Sequence, residues 1–302
     1  MTTETKYPFV SVIIPVYNGE DIIDKCLRAL AKQTYSDKRI EVIVADNGST
    51  DRTIENAREF PEIKIVEERE IRSSYAARNK AIRSAKGEIF AFIDADCVPE
   101  PGWLSAGVAY LSKNSASIAG GRVEFVFSEK RGWFERFDAL YHMNQKETIK
   151  RGMAATANIF VIREAFDKVG FFKFDLISGG DAEWSRRAIN RGFKLGYADS
   201  AVVKHPTRKG FRENATKEKR IGRGEGQLRL LRRGGKGRIA EIAKLLLFSP
   251  FDIIRYVWPV VKFAFRGKIR FYEPFILIPI AKLMFLSKRI GTIGFLLREY
   301  GE

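Results

Sequence analysis

The stretch Gly87–Glu100, GEIFAFIDADCVPE, decides how the rest of the chain is interpreted. Its first part, Glu88–Ile93, is almost wholly apolar, which predicts a strand buried in a sheet. Two carboxylates one residue apart, Asp94 and Asp96, follow directly. Paired acids at a strand end repel each other and invite a cation, and open α/β sheets bind ligands at that edge. The alternative is a solvated Asp-rich turn, which the Asp-x-Asp pattern alone favours.

The composition is that of a globular protein with a strong positive charge. The chain has 302 residues and is 45% hydrophobic, so it can hold one large or two modest domains and is not disordered. The chain has 53 Lys and Arg residues and 37 Asp and Glu residues. The resulting net charge of +16 indicates a polyanionic partner. The two cysteines, Cys26 and Cys97, lie far apart, which excludes a disulfide scaffold or a zinc site and favours a reducing compartment. The N-terminal residues MTTETKYPFV do not have the pattern of a signal peptide.

The first hundred residues alternate between strand and helix patterns. Short, mostly β-branched apolar runs predict strands at Phe9–Tyr17, Ile40–Ala45, Ile63–Val66 and Glu88–Ile93. Helical patterns lie between them, at Glu20–Gln33, Asp51–Phe60 and Ser74–Lys86. This alternation predicts a doubly wound, Rossmann-like α/β sheet.

Further elements are predicted in the second half, in a less regular order. Strands are expected within Ser117–Phe127, Ala154–Ile162 and Phe193–Val203. Helices are expected at Trp103–Leu111 and Asp181–Arg191, and Arg131–Lys150 is expected to form one helix.

The character of the chain changes after Lys204. Between residues 204 and 238 there are thirteen Lys and Arg against three Glu. The segments that follow are apolar and rich in aromatic residues, at Leu245–Phe251, Ile253–Phe265 and Phe271–Leu286. Charges and prolines interrupt them, so none reaches the roughly 20 apolar residues of a membrane span. The combination favours helices that lie in a membrane interface, and the alternative is core helices beside a solvated basic face.

Two domains are therefore expected. Residues 1–204 form the α/β domain, and residues 205–302 form a basic linker followed by amphipathic helices. The sequence GRGEG at Gly222–Gly226 follows no predicted strand, so it is interpreted as flexible linker and not as a phosphate-binding loop.

Three polar motifs follow predicted strands: PVYN at 15–18, DNGSTD at 46–51 and DAD at 94–96. In a parallel sheet these motifs meet at one edge. With YAARNKAIRSAK at 75–86, PEPGWL at 99–104 and GGDAEWSRRAINRG at 179–192, the sequence resembles the inverting family 2 glycosyltransferases of the GT-A fold. The resemblance covers about the first 200 residues and implies a mostly parallel central sheet flanked by helices.

The resemblance implies a nucleotide-sugar site at that edge. Tyr17 would stack on the nucleobase, Asp46 would accept the imide N–H of the base, and Asp94 would contact the ribose. Arg78 and Asn79 would approach the phosphates or the base. The alternatives are an Asx-turn for Asp46 and a helix-surface cation for Arg78. The other residues placed in the site by the resemblance are Pro15, Asn18, Glu20, Asn47 and Ala95.

A metal site is also implied. Asp96 would hold Mg²⁺ or Mn²⁺ against the pyrophosphate, where the cation neutralises charge on the leaving nucleoside diphosphate. His205, expected just past the last strand, would complete the metal or phosphate site. The alternative for His205 is a structural or solvated histidine.

On the acceptor side, the resemblance makes Asp181 the general base, whereas its plain interpretation is a helix N-cap. Many family members carry Glu where this chain has Gly180, and Glu183 is the alternative base. Trp184 would offer a sugar-stacking face, and core packing explains it equally well.

The sequence thus predicts a metal-dependent inverting glycosyltransferase that uses a nucleotide sugar. A UDP-sugar is the preferred candidate for the donor. The acceptor would be lipid-linked or a polysaccharide, at the cytoplasmic membrane face, with the basic C-terminal region on anionic lipid. Transfer directly to polyprenyl phosphate is the alternative within this class. A nucleic-acid-binding protein would explain the charge of +16, but not acidic motifs at strand ends.

Overall fold

The computed structural model describes residues 7–232, 241, 242, 245, 250–265, 269, 270 and 272–298. The chain divides into two compact units. The first unit comprises residues 1–126, 143–175 and 180–206, and the second unit comprises residues 127–142, 176–179 and 207–302. The sequence predicts one division at residue 204, which would assign residues 127–142 and 176–179 to the α/β domain. That domain boundary stays a prediction. Residues 1–6, where no signal peptide is predicted, 233–238 of the basic stretch and 246–249 of the predicted Leu245–Phe251 segment lie outside the described residues.

A mixed sheet organises the first unit. Its strands are β1 (Val10–Val16), β2 (Ile40–Asp46), β3 (Lys64–Glu67), β4 (Ile89–Ile93), β5 (Val98–Pro99), β6 (Ile118–Val126), β7 (Asn158–Ile162) and β8 (Leu195–Pro206). Their order in the sheet is β3-β2-β1-β4-β7-β6-β8-β5. The pairs β3/β2, β2/β1 and β1/β4 are parallel, and β7 runs antiparallel to β4 and β6. The motifs after β1, β2 and β4 therefore lie at the same edge of the sheet, as predicted.

Helices follow most of the strands. They are α1 (Ile23–Leu30), α2 (Thr53–Arg58), α3 (Ser74–Ser84), α4 (Trp103–Lys113), α5 (Trp133–Tyr141), α6 (Gln145–Ile149), α7 (Arg163–Val169), α8 (Gly180–Asn190), α9 (Phe211–Arg232), α10 (Pro250–Phe265) and α11 (Glu273–Arg298). A short 3₁₀ turn covers Asp37–Arg39.

The apolar runs become strands because helices cover both faces of the sheet. All five residues of β4 are buried, as a run without polar alternation requires. On α1 the buried residues Ile23, Cys26, Leu27 and Leu30 recur every three or four positions, so one face of that helix packs on the sheet. The predicted α/β alternation of the first hundred residues is confirmed.

One predicted helix is wrong. Residues Arg131–Lys150 form α5 and α6 instead of a single helix. Between them Met143 has a φ of 51°, which lies outside the helical region and interrupts the hydrogen-bond ladder. The side chain of Asn144 then caps α6 by accepting a hydrogen bond from the backbone N–H of Glu147.

The second unit has its own apolar core, which includes Phe137 of α5 and Leu277 and Met284 of α11. The linker predicted at Gly222–Gly226 is wrong, because these residues lie inside α9. A Cβ on Gly222 would collide with the backbone carbonyl of Lys288, so the glycines allow α9 and α11 to pack closely. Within the described ranges, no helix is long and apolar enough to cross a membrane.

Candidate active site

Asp46 lies at the end of β2 and is 1% exposed. Its Oδ2 accepts hydrogen bonds from the backbone N–H groups of Gly48 and Ser49, at 2.9 and 3.0 Å. No described residue donates a hydrogen bond to its other oxygen, Oδ1. A buried carboxylate oxygen without a partner is costly, so this atom is suited to accept a donor from a ligand.

The PVYN loop lies against the DNGSTD turn. Asn18 donates its backbone N–H to Oγ of Ser49 at 2.9 Å and accepts the N–H of Thr50 through Oδ1, also at 2.9 Å. These bonds hold Tyr17 with 45% of its surface exposed, available for stacking. The guanidinium of Arg72 lies 5.1 Å from the centroid of the Tyr17 ring. Arg72 is not among the site residues expected from the sequence, because it belongs to no recognisable motif.

The remaining loop residues named by the resemblance contact mainly the protein. Glu20 accepts the backbone N–H of Arg52 at 3.0 Å. The amide of Asn47 donates to the carbonyls of Glu68 and Ile71 at 3.1 and 2.8 Å. Pro15 is half-buried and Ala95 is buried, so the two residues shape the backbone at this edge.

Arg78 reaches the strand ends from α3. Its Nη2 donates to Oδ1 of Asp94 at 2.7 Å, and the side chain is buried. A buried arginine therefore orients Asp94, and the surface-cation alternative is wrong. The expectation that Asn79 approaches a nucleotide is also wrong. Its side chain is buried and exchanges two hydrogen bonds with the backbone of Phe172, at 2.8 and 3.1 Å.

Asp96 and His205 lie close together. Nε2 of His205 is 3.5 Å from Oδ2 of Asp96, and Nδ1 is 2.6 Å from the carbonyl oxygen of Pro206. That carbonyl can only accept, so Nδ1 carries the proton in the neutral ring and Nε2 presents a lone pair beside Asp96. The sequence predicts His205 just past the last strand. In the structure it lies within β8 and is 2% exposed.

Cys97 is the third potential ligand near this pair. One ligand atom from each of Asp96, Cys97 and His205 lies within 4.8 Å of the others. The Cys97 thiol lies 3.8 Å from Oδ1 of Asp96. Burial, followed by the charges of Asp96 and Asp94, raises the pKa of this thiol well above its usual value.

Asp181 lies in the first turn of α8. Its Oδ1 accepts the N–H of Ala182 at 2.9 Å, and its Oδ2 lies 3.4 Å from the N–H of Thr156. Burial raises the pKa of Asp181, although these N–H groups and the charge of Arg78 oppose the effect. A carboxylate with a raised pKa is a stronger base, which suits proton abstraction.

Gly180, which departs from the pattern that the resemblance implies, has a local explanation. Its backbone N–H donates to Oη of Tyr75 at 2.9 Å. A Cβ at this position would lie 2.8 Å from Cζ of Tyr75, which is too close for any side chain without a shift of the ring. The aromatic residue on α3 thus accounts for glycine before Asp181.

The structure gives the other two acceptor-side residues structural roles. Glu183 accepts hydrogen bonds from Nε of Arg187 at 2.9 and 3.1 Å and lies 3.4 Å from Nζ of Lys173, so it is engaged in ion pairs. Trp184 is 1% exposed and stacks on Phe166 at a centroid distance of 4.3 Å. The prediction that Trp184 offers a face to a sugar is wrong, because its ring lies in the core.

Comparisons with known proteins show the family and the fold of the chain. The profile of the family described as "Glycosyl transferase family 2" matches residues 11–170. The chain is 42% identical over 245 residues to "Glycosyltransferase AglE" of Haloferax volcanii, which covers 80% of each protein. It is 26% identical over 318 residues to the "Dolichyl N-acetyl-alpha-D-glucosaminyl phosphate 3-beta-D-2,3-diacetamido-2,3-dideoxy-beta-D-glucuronosyltransferase" of Methanococcus voltae, covering 95% of this chain and 96% of the relative.

A solved structure has the same fold. It is "Mannosyltransferase PcManGT from Pyrobaculum calidifontis in complex with GDP-Man and Mn2+", with a TM-score of 0.60 and 19% identity. The match covers 94% of this chain and 88% of that chain. At this identity the likeness concerns the fold alone.

Proposed function

The chain belongs to glycosyl transferase family 2 and is a glycosyltransferase of the GT-A fold, and we propose that it moves a sugar from a nucleotide sugar to a lipid-linked acceptor. The observation that carries this proposal concerns Oδ1 of Asp46, which accepts no hydrogen bond from any described residue and lies at the same sheet edge as Asp94 and Asp96. A buried acceptor atom and an acidic pair at one edge match the two ends of a nucleoside diphosphate, the base and the cation-bound phosphates.

On the donor side, Oδ1 of Asp46 accepts the imide N–H of the base while the exposed ring of Tyr17 stacks on it. Uracil presents one such N–H, and we take a UDP-sugar as the first donor class. Guanine also presents an N–H of this kind, so GDP is the competitor to test. Asp94, oriented by Arg78, contacts the ribose.

The residues present fit a divalent cation. The carboxylate of Asp96 and the Nε2 lone pair of His205 provide one oxygen and one nitrogen ligand, both acceptable to Mn²⁺ and the first also to Mg²⁺. Proton donation from Nδ1 of His205 to Pro206 orients the ring, as is usual for a ligating histidine. When bound, such a cation neutralises the charge that builds on the leaving nucleoside diphosphate.

Asp181 acts as the general base. Its carboxylate takes the proton of an acceptor hydroxyl while that oxygen forms a bond to the anomeric carbon. The bond from the anomeric carbon to the nucleoside diphosphate breaks on the opposite face, so the configuration at this carbon inverts. The raised pKa of Asp181 strengthens it as a base, and the N–H groups of Ala182 and Thr156 orient it.

A sugar carried on a lipid phosphate is the proposed acceptor. The name of the Methanococcus voltae relative describes a dolichyl phosphate that already carries a sugar, and that relative aligns over nearly the whole chain. This favours a lipid-phosphate-linked sugar over bare polyprenyl phosphate, which is the second candidate. Product analysis by mass spectrometry, with UDP- and GDP-sugars offered to each acceptor, separates the two. A folded enzyme that transfers no sugar to either acceptor would overturn the proposal.

We propose that the protein acts at the cytoplasmic membrane face, and the surface of the second unit supports the membrane part of this proposal. Large apolar side chains are exposed there, among them Phe265 at 86% and Phe275 at 78%. Exposed cations on α9 include Arg212, Lys219 and Arg220, and each such charge near an anionic surface contributes about 1 kcal/mol. A unit that exposes both large apolar side chains and cations is typical of proteins that bind anionic lipid.

Vesicles that contain phosphatidylglycerol test the membrane proposal. The wild type should sediment with them, and the double substitution Phe265→Ser and Phe275→Ser should release it. Phe174→Ser is the matched control, since Phe174 is 49% exposed in the first unit and should not matter. Equal sedimentation of the wild type and the double variant would contradict membrane binding through α10 and α11.

A further inference from the structure

A cavity of about 490 Å³ lies within the second unit, apart from any residue assigned above to the donor site or the base. Its described lining comes from residues 127–140 and from residues 269–277. The lining residues are Phe127, Arg131, Arg136, Ala139, Leu140, Ile269, Arg270, Glu273 and Leu277. This volume is in the range of small-molecule sites.

The charged part of the lining is cationic. Arg136 is bonded to Glu273, which is 3% exposed, so that pair is neutral as a unit. Arg131 and Arg270 add two further guanidinium groups to the same cavity. Guanidinium groups bind phosphate in a bidentate manner, which makes the cavity suited to a phosphate ester.

The rest of the lining is apolar. Phe127, Leu140, Ile269 and Leu277 line the cavity together with the arginines, and Leu277 belongs to the buried core of the unit. A free phosphate would gain nothing from this wall, whereas a hydrocarbon chain would be removed from water.

A second basic hollow in the same unit provides a contrast. Its described lining residues are Arg208, Arg212, Glu213, Thr216, Lys217 and Arg220, and none of these has a large apolar side chain. Its chemistry suits an anion alone. The mixed lining of the first cavity therefore points to an amphiphile.

We propose that the cavity between Arg131, Arg270 and Leu277 binds a lipid phosphate, with the phosphate on the two arginines and the first isoprenoid units on the apolar wall. The inference rests on the proposed function, because it gives the acceptor lipid a site of its own in the second unit. The source of the phosphate is a lipid, and free phosphate is an outcome that the test distinguishes.

Farnesyl phosphate is the probe, and its binding to the full-length wild type is measured by calorimetry below its critical micelle concentration. Inorganic phosphate and farnesol are measured in parallel. Farnesyl phosphate should bind more tightly than either fragment. Arg131→Gln should weaken it about tenfold, the loss expected for one charge-assisted contact. Arg212→Gln, a matched exposed arginine in the second hollow, should leave the affinity within about twofold.

Arg270→Gln provides a second variant should Arg131→Gln fail to fold, since both arginines are exposed. Equal binding of farnesyl phosphate to the wild type and to both variants would overturn the site. Binding of inorganic phosphate as tight as that of farnesyl phosphate would overturn the lipid assignment. UDP binding is measured on the same variants: if it is absent from the wild type while farnesyl phosphate binds as expected, the proposed function fails and the lipid site stands.

Discussion

Asp46 in the first unit and Asp138 in the second are both buried carboxylates, yet their surroundings differ. Asp46 uses one oxygen for two backbone N–H groups, and its Oδ1 has no hydrogen-bond donor among the described residues. Asp138 engages both oxygens with cations or donors. Its Oδ1 lies 3.0 Å from Nζ of Lys217 and 2.8 Å from Nδ1 of His142, and its Oδ2 accepts the N–H of Arg208 at 3.0 Å.

The surroundings of buried charged groups also shift their pKa values, as Asp138, Lys217 and Asp181 show. Burial alone would raise the pKa of Asp138, but His142, Lys217 and Arg208 outweigh it and hold the pKa well below its usual range. Burial and the charge of Arg208 lower the pKa of Lys217 to about 8, against the opposing charge of Asp138. By contrast, burial raises the pKa of Asp181.

The difference teaches that a concentration of acids does not by itself identify an active site. Carboxylates that are fully paired stabilise the fold, and carboxylates with a raised pKa or an unused acceptor atom are available to a ligand. We expect substitutions in the first unit to affect binding and transfer, and substitutions of the buried acids of the second unit to affect stability.

The largest effect is expected for Asp181→Asn. Transfer should fall by about 10³-fold, because loss of a general base removes this order of rate enhancement. UDP binding should be unchanged, since Asp181 faces the acceptor in the proposed mechanism. Initial rates with saturating donor and calorimetric UDP binding measure the two quantities. Glu183→Gln, on the same helix, is the control and should transfer normally; a near-wild-type rate for Asp181→Asn would refute the base assignment.

Asp138→Ala should destabilise the second unit. Removing one partner of a buried ion pair typically costs about 3–5 kcal/mol, because Lys217 would remain buried without its counter-ion. Urea unfolding followed by tryptophan fluorescence measures the loss. A free energy of unfolding equal to that of the wild type would show that the contrast with Asp46 is mistaken.

Glu135 should make the stability of the second unit depend on pH in the acid range. Burial would raise its pKa, but hydrogen bonds from Ser128, Thr207 and Gly132 lower it from 4.5 to about 2. Since the folded pKa is the lower one, the stabilisation is complete above pH 4.5 and is lost as the pH falls towards 2. Glu135→Gln should therefore be less stable than the wild type at pH 7 and should lose less stability over this window. Parallel acid-titration curves for the two proteins would contradict the prediction.

Asp46→Asn should have the smallest effect on the fold and a moderate effect on binding. The amide can no longer offer two acceptor oxygens, so UDP should bind about tenfold more weakly, the loss expected for one hydrogen bond to a charged group. The free energy of unfolding should change little. A loss of stability as large as that of Asp138→Ala, with UDP affinity intact, would reverse the roles assigned to the two carboxylates.

Much of the first unit could be predicted from the sequence. The strands β1, β2 and β4 are mostly apolar runs followed by polar motifs, and such runs define both the sheet and the edge where ligands bind. The positions of Asp46, Asp94 and Asp96 at that edge follow from strand order alone.

What could not be predicted depends on contacts between distant residues. The sequence around Trp184 is the same whether its ring stacks on a sugar or on Phe166. Only the folded structure shows that Phe166 is its partner. Two partners of Asp138, Arg208 and Lys217, lie 70 and 79 residues further along, within a stretch that resembles a solvated basic run. Gly222 resembled a linker residue because its contact, the backbone of Lys288, is equally remote.

Calorimetry of UDP binding with and without Mn²⁺ tests most directly the claim that the strand-end acids form a nucleotide-sugar site. Wild-type protein should bind UDP in Mn²⁺ and lose most of that affinity in EDTA. Asp96→Ala should bind weakly in both conditions, while remaining as stable to urea as the wild type. UDP binding that is equally tight in EDTA, or equally tight in Asp96→Ala, would contradict the account.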